Sequence, residues 1–260
     1  MNRILFETSE IKGSFATFTG ERAAHVMTVL HGEVGQILKT GEINGPIGTS
    51  EIVSLEPGVE GAGRITVRVC HDKVSLAPWV DLILAPPRPR VLKRLLPQLA
   101  TMGVGRIVLV GARKVEKDFW GATLLKTENY RPLLVEGLMQ AGTSILPTIE
   151  TRRNWGRFLS DELETMFPFS RRLVAHPYAA NSTAAHVAER ADGNRDRLVL
   201  AIGPEGGWTD EEVARLEAKG FARYSLGERI LRTDTATIAL LSRLEPIFGT
   251  SLNEKRDCHL

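Results

Sequence analysis

The stretch LVLAIGPEGGWTDEEVARLEAKGF, residues 198–221, carries the reading that decides the fold class. It opens as an apolar run of strand length, breaks at Gly203-Pro204-Glu205-Gly206-Gly207, and restarts at Thr209 and Glu212 in the spacing of a helix capping box. A strand whose residues are apolar without alternation is buried on both faces, as in a parallel sheet. Outward from this stretch the same alternation recurs. Strand-like runs stand at VDLILA (80–85), RIVLVGA (106–112), RLVAH (172–176), RLVLAIG (197–203) and, more weakly, FARYSLG (221–227). Between and after them lie helical spacings: Leu92, Leu95, Leu96, Leu99 and Met102; Val213 and Leu216; Ile238, Leu241, Leu244 and Phe248. The pattern predicts an α/β domain with a parallel sheet covered by helices on both faces. Pro97 falls inside the first helix, where an interior proline costs about 3 kcal/mol, so a kink or a late start is expected there.

Residues 1–75 read differently. SFATFTG, VGQILKTGEINGPIG, SEIVSLEPG and GRITVRVC are short β-type runs broken by glycine-rich turns, which predicts a small all-β barrel or sandwich. One helical exception is GERAAHVMTVLH, with Ala24, Met27, Val29 and Leu30 as its apolar face. The pattern changes near Ser75–Pro78, so the expected domains are residues 1–75 and 76–260, an α+β two-domain chain.

Composition excludes several classes. With 43% apolar and 25% charged residues in 260, the chain is neither disordered, collagen-like nor coiled coil. No apolar run reaches the roughly 18–20 residues of a membrane span, and MNRILFETSE has no export-signal pattern, so the expectation is a cytoplasmic protein with no membrane partner. Cys70 and Cys258 are too few for a thiol metal cluster, and the six histidines show no ligand spacing, so no metal is expected. The net charge of +2 is unevenly spread: residues 1–76 hold 7 Lys+Arg against 9 Asp+Glu, residues 77–150 hold 10 against 6, and the rest are balanced. A polyanion would therefore meet the middle segment first.

A glycine-rich turn such as GPEGG needs no ligand by itself. It lacks GxGxxG and GxxxxGK[ST], which leaves dinucleotide and triphosphate binding unsupported. A second strand-to-helix junction, SLGERILRTDTATIALLSRLEPIF (225–248), has Leu226-Gly227 at the strand end, Ile230-Leu231-Arg232 in the loop and Thr233 as the expected helix cap. Two glycine-bearing loops on one edge of a parallel sheet form a candidate binding site, because ligands bind beyond the carboxyl ends of such strands.

These two loops in this order, Ala201–Gly207 and Leu226–Ala236 with Gly220-Phe221 between them, resemble the RsmE family of 16S ribosomal RNA uridine-N3 methyltransferases of the SPOUT class. Weaker matches extend over the chain: Asn2–Phe6, Gly20–Leu30, Met102-Gly103-Val104, Arg113, and Glu136–Gly142. The resemblance implies a PUA-like N-terminal barrel that binds RNA and a C-terminal SPOUT domain with a trefoil knot. It further implies homodimers, S-adenosylmethionine as cofactor, and 16S rRNA within an assembling small subunit as partner. It assigns the cofactor to Ala175, His176, Pro177, Ile202, Gly203, Pro204, Glu205, Gly206, Gly207, Leu226, Gly227, Ile230 and Leu231. Arg232 would orient the base and stabilise negative charge, with Asp234 fixing Arg232 or accepting a proton and Glu205 bracing its loop. RNA docking would fall to Arg88, Arg90, Lys93, Arg94, Arg113 and Lys114, with Lys117 nearby; read alone, such a charge run is usually a solvated face. The chain departs from the family at His31, Gln98, Thr101 and Thr143, where family members carry charged side chains, and at Asp234, where they carry glutamate. Two other functions stay open on these departures: a same-class methyltransferase acting on another RNA nucleotide, and a non-catalytic RNA-binding or ribosome-assembly protein that keeps the knot.

Overall fold

A computed structural model describes residues 2–58, 63–168, 170–177 and 197–249. Cys258 lies outside them. The chain divides into two compact units, Met1–Leu76 with Val135–Leu146, and Ala77–Leu134 with Pro147–Leu260. The sequence pattern offers no hint that 135–146 packs with the first unit.

In the first unit, six strands form one sheet in the order β1-β4-β5-β6-β3-β2: β1 Ile4–Phe6, β2 Ile11–Lys12, β3 Phe15–Phe18, β4 Ile37–Glu42, β5 Ile47–Glu56 and β6 Arg64–Lys73. Only β1 and β4 pair in parallel. Helix α1 (Gly20–Thr28) adds Ala23 and Val26 to a core of Phe6, Phe18, Leu38, Ile52, Ile65 and Val67. The face expected from periodicity holds in part: Met27 packs partly buried against this core, whereas Val29 and Leu30 follow the helix and are exposed. The segment 135–146 is tied in by polar contacts. Arg3 donates to the Gly142, Thr40 and Gly48 carbonyls, and Ser144 Oγ donates to the Gly45 carbonyl (2.6 Å).

The second unit holds an all-parallel six-stranded sheet in the order β12-β10-β11-β7-β8-β9. Its strands are β7 Val80–Leu84, β8 Val104–Val110, β9 Thr148–Arg152, β10 Arg171–Ala175, β11 Leu198–Ile202 and β12 Ala222–Tyr224. The central β7 and β11 are buried at every residue, as their unbroken apolar sequences require. Alternation sends Ile83, Val108, Val110, Val174, Val199 and Ala201 to one face, where they pack with Trp155, Phe158, Trp208, Val213 and Leu216. Helices α2 (Pro89–Thr101) and α7 (Thr233–Phe248) bring Leu92, Leu95, Leu96, Leu99, Leu240, Leu241 and Leu244 to the sheet as further buried apolar residues. Each such side chain contributes about 1.5–3 kcal/mol on burial. Short helices α4 (Trp155–Arg157) and α5 (Leu163–Met166) flank a π turn, and α6 spans Asp210–Glu217. Helix α3 is Thr127–Ala141.

Two expectations need correction. Helix α2 does not start late, since Pro89 occupies its first turn; Pro97 lies within the helix, and the carbonyl it leaves unserved is that of exposed Lys93. Strand β9 was not expected, because an edge strand of sequence TIETR, with charged Glu150 and Arg152, lacks the apolar run that marks its neighbours.

Candidate functional site

The carboxyl ends of β10, β11 and β12 carry three loops that are tied to one another. The His176 N–H donates to the Tyr224 carbonyl (3.0 Å), and Ser225 Oγ donates to the Pro177 carbonyl (3.0 Å) and accepts from the Gly227 N–H (3.1 Å). Gly227 at φ +125° and Gly207 at φ +68° hold backbone that other residues adopt with strain. The GPEGG turn closes through the Gly207 N–H on the Pro204 carbonyl (2.8 Å). Close approach is needed twice in it: a Cβ on Gly203 would stand 3.0 Å from the Trp208 nitrogen, and one on Gly206 would stand 2.9 Å from Lys114 Cδ.

The helix after this turn starts as the sequence requires. Thr209 Oγ1 accepts the Glu212 N–H, and Glu212 Oε2 accepts the Thr209 N–H (2.8 Å). Glu212 does more than cap. Its Oε1 accepts the Arg113 N–H (2.7 Å), so this buried carboxylate also fixes the loop after β8. The second expected cap is wrong: Arg232 occupies the position before α7, and Thr233, in its first turn, is buried with Oγ1 3.5 Å from the Gly203 carbonyl.

A pocket of about 400 Å³ lies among these loops. Ala175, His176, Pro177, Ile202, Gly203, Pro204, Glu205, Gly206, Gly207, Leu226, Gly227, Ile230 and Leu231 all line it. Lys114, Trp208, Asp210, Tyr224, Ser225, Arg229, Thr233, Ala236 and Leu240 complete the lining, and none of these nine was assigned to the cofactor from the sequence. Burial, assisted by the charge of Arg223, lowers the His176 pKa and favours the neutral ring.

A cleft of about 610 Å³ adjoins it. Arg232 and Asp234 line this cleft, not the pocket, together with Arg88, Arg94, Glu116, Asp118, the buried Phe119 and the proline run Pro86-Pro87-Arg88-Pro89 at the end of β7. Lys114, Glu205, Gly206 and Thr233 belong to both linings. Glu205 braces the wall between them by accepting the Arg88 N–H (3.2 Å). Asp234 does not pair with Arg232; its Oδ2 lies 3.6 Å from Arg94 Nη2.

The basic residues divide. Arg88 pairs with Glu116 (3.3 Å), Arg94 with Asp234, and Lys114 Nζ donates to the Gly206 carbonyl (2.7 Å). Arg90 and Lys93 are exposed on α2 and line neither cavity, so they stand on a helix and not on a strand-end loop. Arg113 pairs with Glu211 (3.6 Å) and lies in a separate hollow with Arg153 and Arg215. Among the described residues no helix is long and apolar enough to cross a membrane, and no group of three or more His, Cys, Asp or Glu could hold a metal ion.

Comparison with known proteins gives the lineage. A family model described as an RNA methyltransferase domain matches residues 75–245. Ribosomal RNA small subunit methyltransferase E of Treponema pallidum (strain Nichols) is 30% identical over 242 residues, covering 92% of this chain and 88% of that protein. Among solved structures, ribosomal RNA small subunit methyltransferase E from Neisseria gonorrhoeae, bound to S-adenosyl methionine, superposes with a TM-score of 0.70 at 19% identity over 95% of this chain and 98% of that one. A putative methyltransferase from Legionella pneumophila in complex with the same cofactor gives 0.71 at 22% identity over 94% and 97%. The strand order, the two glycine loops and these matches together mean that the chain belongs to the ribosomal RNA small subunit methyltransferase E family of RNA methyltransferases.

Proposed function

We propose that the protein transfers a methyl group from S-adenosylmethionine to N3 of a uridine in 16S ribosomal RNA, with the 400 Å³ pocket as donor site and the 610 Å³ cleft as base site. The observation that carries this reading is the shared wall, Lys114, Glu205, Gly206 and Thr233, which lets a donor and an acceptor meet across the GPEGG turn.

The residues present fit such a donor. The pocket falls within the volume range of small-molecule sites and combines apolar Ile202, Leu226, Ile230, Leu231 and Leu240 with the carboxylates of Asp210 and Glu205, which suit a cationic ligand of mixed polarity. The close approach at Gly203 and Gly206 supplies a cradle that a Cβ would fill. When bound, S-adenosylmethionine supplies a sulfonium methyl for in-line displacement.

The protein's own work is positioning and placement of charge. A uridine N3 carries a proton on its pairing edge, so the base must leave its stack to enter the cleft. Arg232, exposed beside the cleft, orients the base and stabilises negative charge as that proton is lost. Asp234 holds Arg94 at the opposite wall. Arg90 and Lys93, exposed on α2, join Arg88, Arg94 and Arg113 in phosphate contact, so RNA affinity falls steeply with salt.

The same reading includes the PUA-like barrel for the first unit and the trefoil knot for loops 175–177, 203–207 and 226–231. It also includes a homodimer that covers exposed Ile230, 75% accessible, and a cytoplasmic site of action on an assembling small subunit. The support is the strand order of both sheets and the fold likeness to the solved family structures. Mass spectrometry of ribosomal RNA from a deletion strain tests it. Loss of one N3-methyluridine from 16S rRNA is expected; loss at another nucleotide moves the substrate, and an unchanged pattern removes the activity.

A further inference from the structure

We infer that Lys114 is a second positioning cation for methyl transfer, holding the target base through a ring carbonyl oxygen at the seam between the two cavities; the inference rests on the function proposed above. Four cations line the larger cleft: Arg88, Arg94, Lys114 and Arg232. Two of them are matched, Arg88 by Glu116 and Arg94 by Asp234. Among the described residues, no carboxylate pairs with Lys114 or Arg232. These two are therefore the cleft charges free to answer negative charge on a bound base.

Their positions differ. Arg232 lines the cleft alone, whereas Lys114 is the one cation, among the described residues, that lines both cleft and pocket. The seam is where the atom that receives the methyl group must stand. Lys114 reaches it because Gly206 has no side chain: a Cβ there would stand 2.9 Å from Lys114 Cδ, and the ammonium caps the Gly206 carbonyl at 2.7 Å. That carbonyl takes one of the three N–H donors and neutralises nothing, so the others and the full charge stay available.

The chemistry gives such a charge a task. As the new N–CH3 bond forms, the ring N–H bond breaks with its proton passing to water, and the S–CH3 electron pair returns to sulfur. Negative charge from the lost proton spreads onto the carbonyl oxygens beside the nitrogen. An ammonium beside one of them lowers the acidity barrier, and while hydrogen-bonded to Gly206 O it stands in a fixed place and needs no reorganisation. Its worth is of the order of one oxyanion donor, about a hundredfold in rate.

The test uses the full-length protein with Lys114→Met and Lys114→Arg, isolated small subunits as substrate, single-turnover transfer, calorimetry for the donor, and filter binding for RNA. Lys114→Met is expected to lose about a hundredfold in single-turnover rate while donor and RNA affinities stay within about threefold, and Lys114→Arg to recover most of the rate. An unchanged rate in Lys114→Met overturns the inference. So does a fall in donor affinity that matches the loss of rate, which would make Lys114 a brace for the GPEGG turn. An equal loss in RNA affinity would make it a phosphate contact instead. If the unaltered protein transfers no methyl group to any substrate RNA while its donor binding is intact, the proposed function falls and this inference with it.

Discussion

Asp234 turns away from Arg232: its Oδ2 lies 3.6 Å from Arg94 Nη2, and its Oδ1 accepts the Thr235 backbone N–H at 2.9 Å. The contact joins the first turn of α7 to α2 across the mouth of the larger cleft. Arg94 is largely exposed, so the pair contributes at most about 1 kcal/mol to stability. Under the proposed function, a carboxylate engaged in this way is expected to act as a spacer between two walls and not as the acceptor of the substrate proton. Asp234→Asn, which keeps the amide oxygen for Thr235, is expected to retain methylation within tenfold of the parent. Combining it with Arg94→Met should add little to either single change. A loss of about a hundredfold or more from Asp234→Asn alone would mark the carboxylate as a general base.

Arg232 carries the opposite expectation. Its side chain lines the cleft only, while its backbone carbonyl accepts the Ala236 N–H (2.7 Å) and starts α7. Arg232→Ala leaves that backbone bond, and with it Leu231 and Thr233 in the donor pocket, in place. Turnover should be abolished with donor affinity within a few-fold. Calorimetry that found donor binding lost as well would move Arg232 into the donor site.

Two glycines of one turn should respond differently to the same substitution. Alanine at Gly206 meets the far end of a flexible lysine side chain, which can swing aside. Alanine at Gly203 meets the Trp208 backbone nitrogen at 3.0 Å and its indole at 3.1 Å, and Trp208 is buried and stacked on Trp155 with ring centroids 5.2 Å apart. Overpacking of this kind costs about 1–3 kcal/mol. Gly203→Ala should therefore lower the melting temperature and weaken the donor by tenfold or more, whereas Gly206→Ala should melt as the parent does. Equal melting of the two proteins would show that the loop relaxes freely around Gly203.

The parts of this arrangement that sequence made visible are those fixed by local chemistry. Unbroken apolar runs marked β7 and β11 because both faces of a central parallel strand are buried, and Thr209-x-x-Glu212 marked α6 because capping is a matter of four consecutive residues. The loop residues 175–177, 203–207 and 226–231 converge on one pocket because all follow strands of one parallel sheet. What stayed hidden depends on partners distant in sequence. Nothing local tells Asp234 to choose Arg94, 140 positions earlier, over Arg232 two positions away. Nothing local tells Lys114 to cap Gly206 or Glu212 to hold Arg113. The proline run Pro86-Pro87-Arg88-Pro89 is the local signal for the cleft, since prolines at a strand end leave few backbone donors and a stiff rim.

Asp81 gives a stability test independent of catalysis. It sits in fully buried β7, 7% exposed, with Oδ1 3.0 Å from Arg197 Nη1. Burial raises its pKa even though Arg197, and then Arg106, act to lower it. In the interval between the ordinary carboxylate value and the raised one, the folded protein binds more protons than the unfolded chain, so stability falls as pH rises. The contribution is fully present below the ordinary value and is lost once pH has passed the raised one. Asp81→Asn removes this dependence, and its denaturant midpoint should be flatter across the acid range than that of the parent. Arg197→Met leaves a buried carboxylate without its near partner; with Arg197 itself partly exposed, the expected loss at pH 7 is about 1–3 kcal/mol. Gly105→Ala should act in the same direction, because a Cβ there would stand 2.2 Å from Arg197 Nη1 and drive the guanidinium off Asp81. Adding Asp81→Asn to Arg197→Met should recover most of the loss, since no charge then remains to be matched; a double variant as unstable as Arg197→Met alone would show that Arg197 acts by packing and not through Asp81.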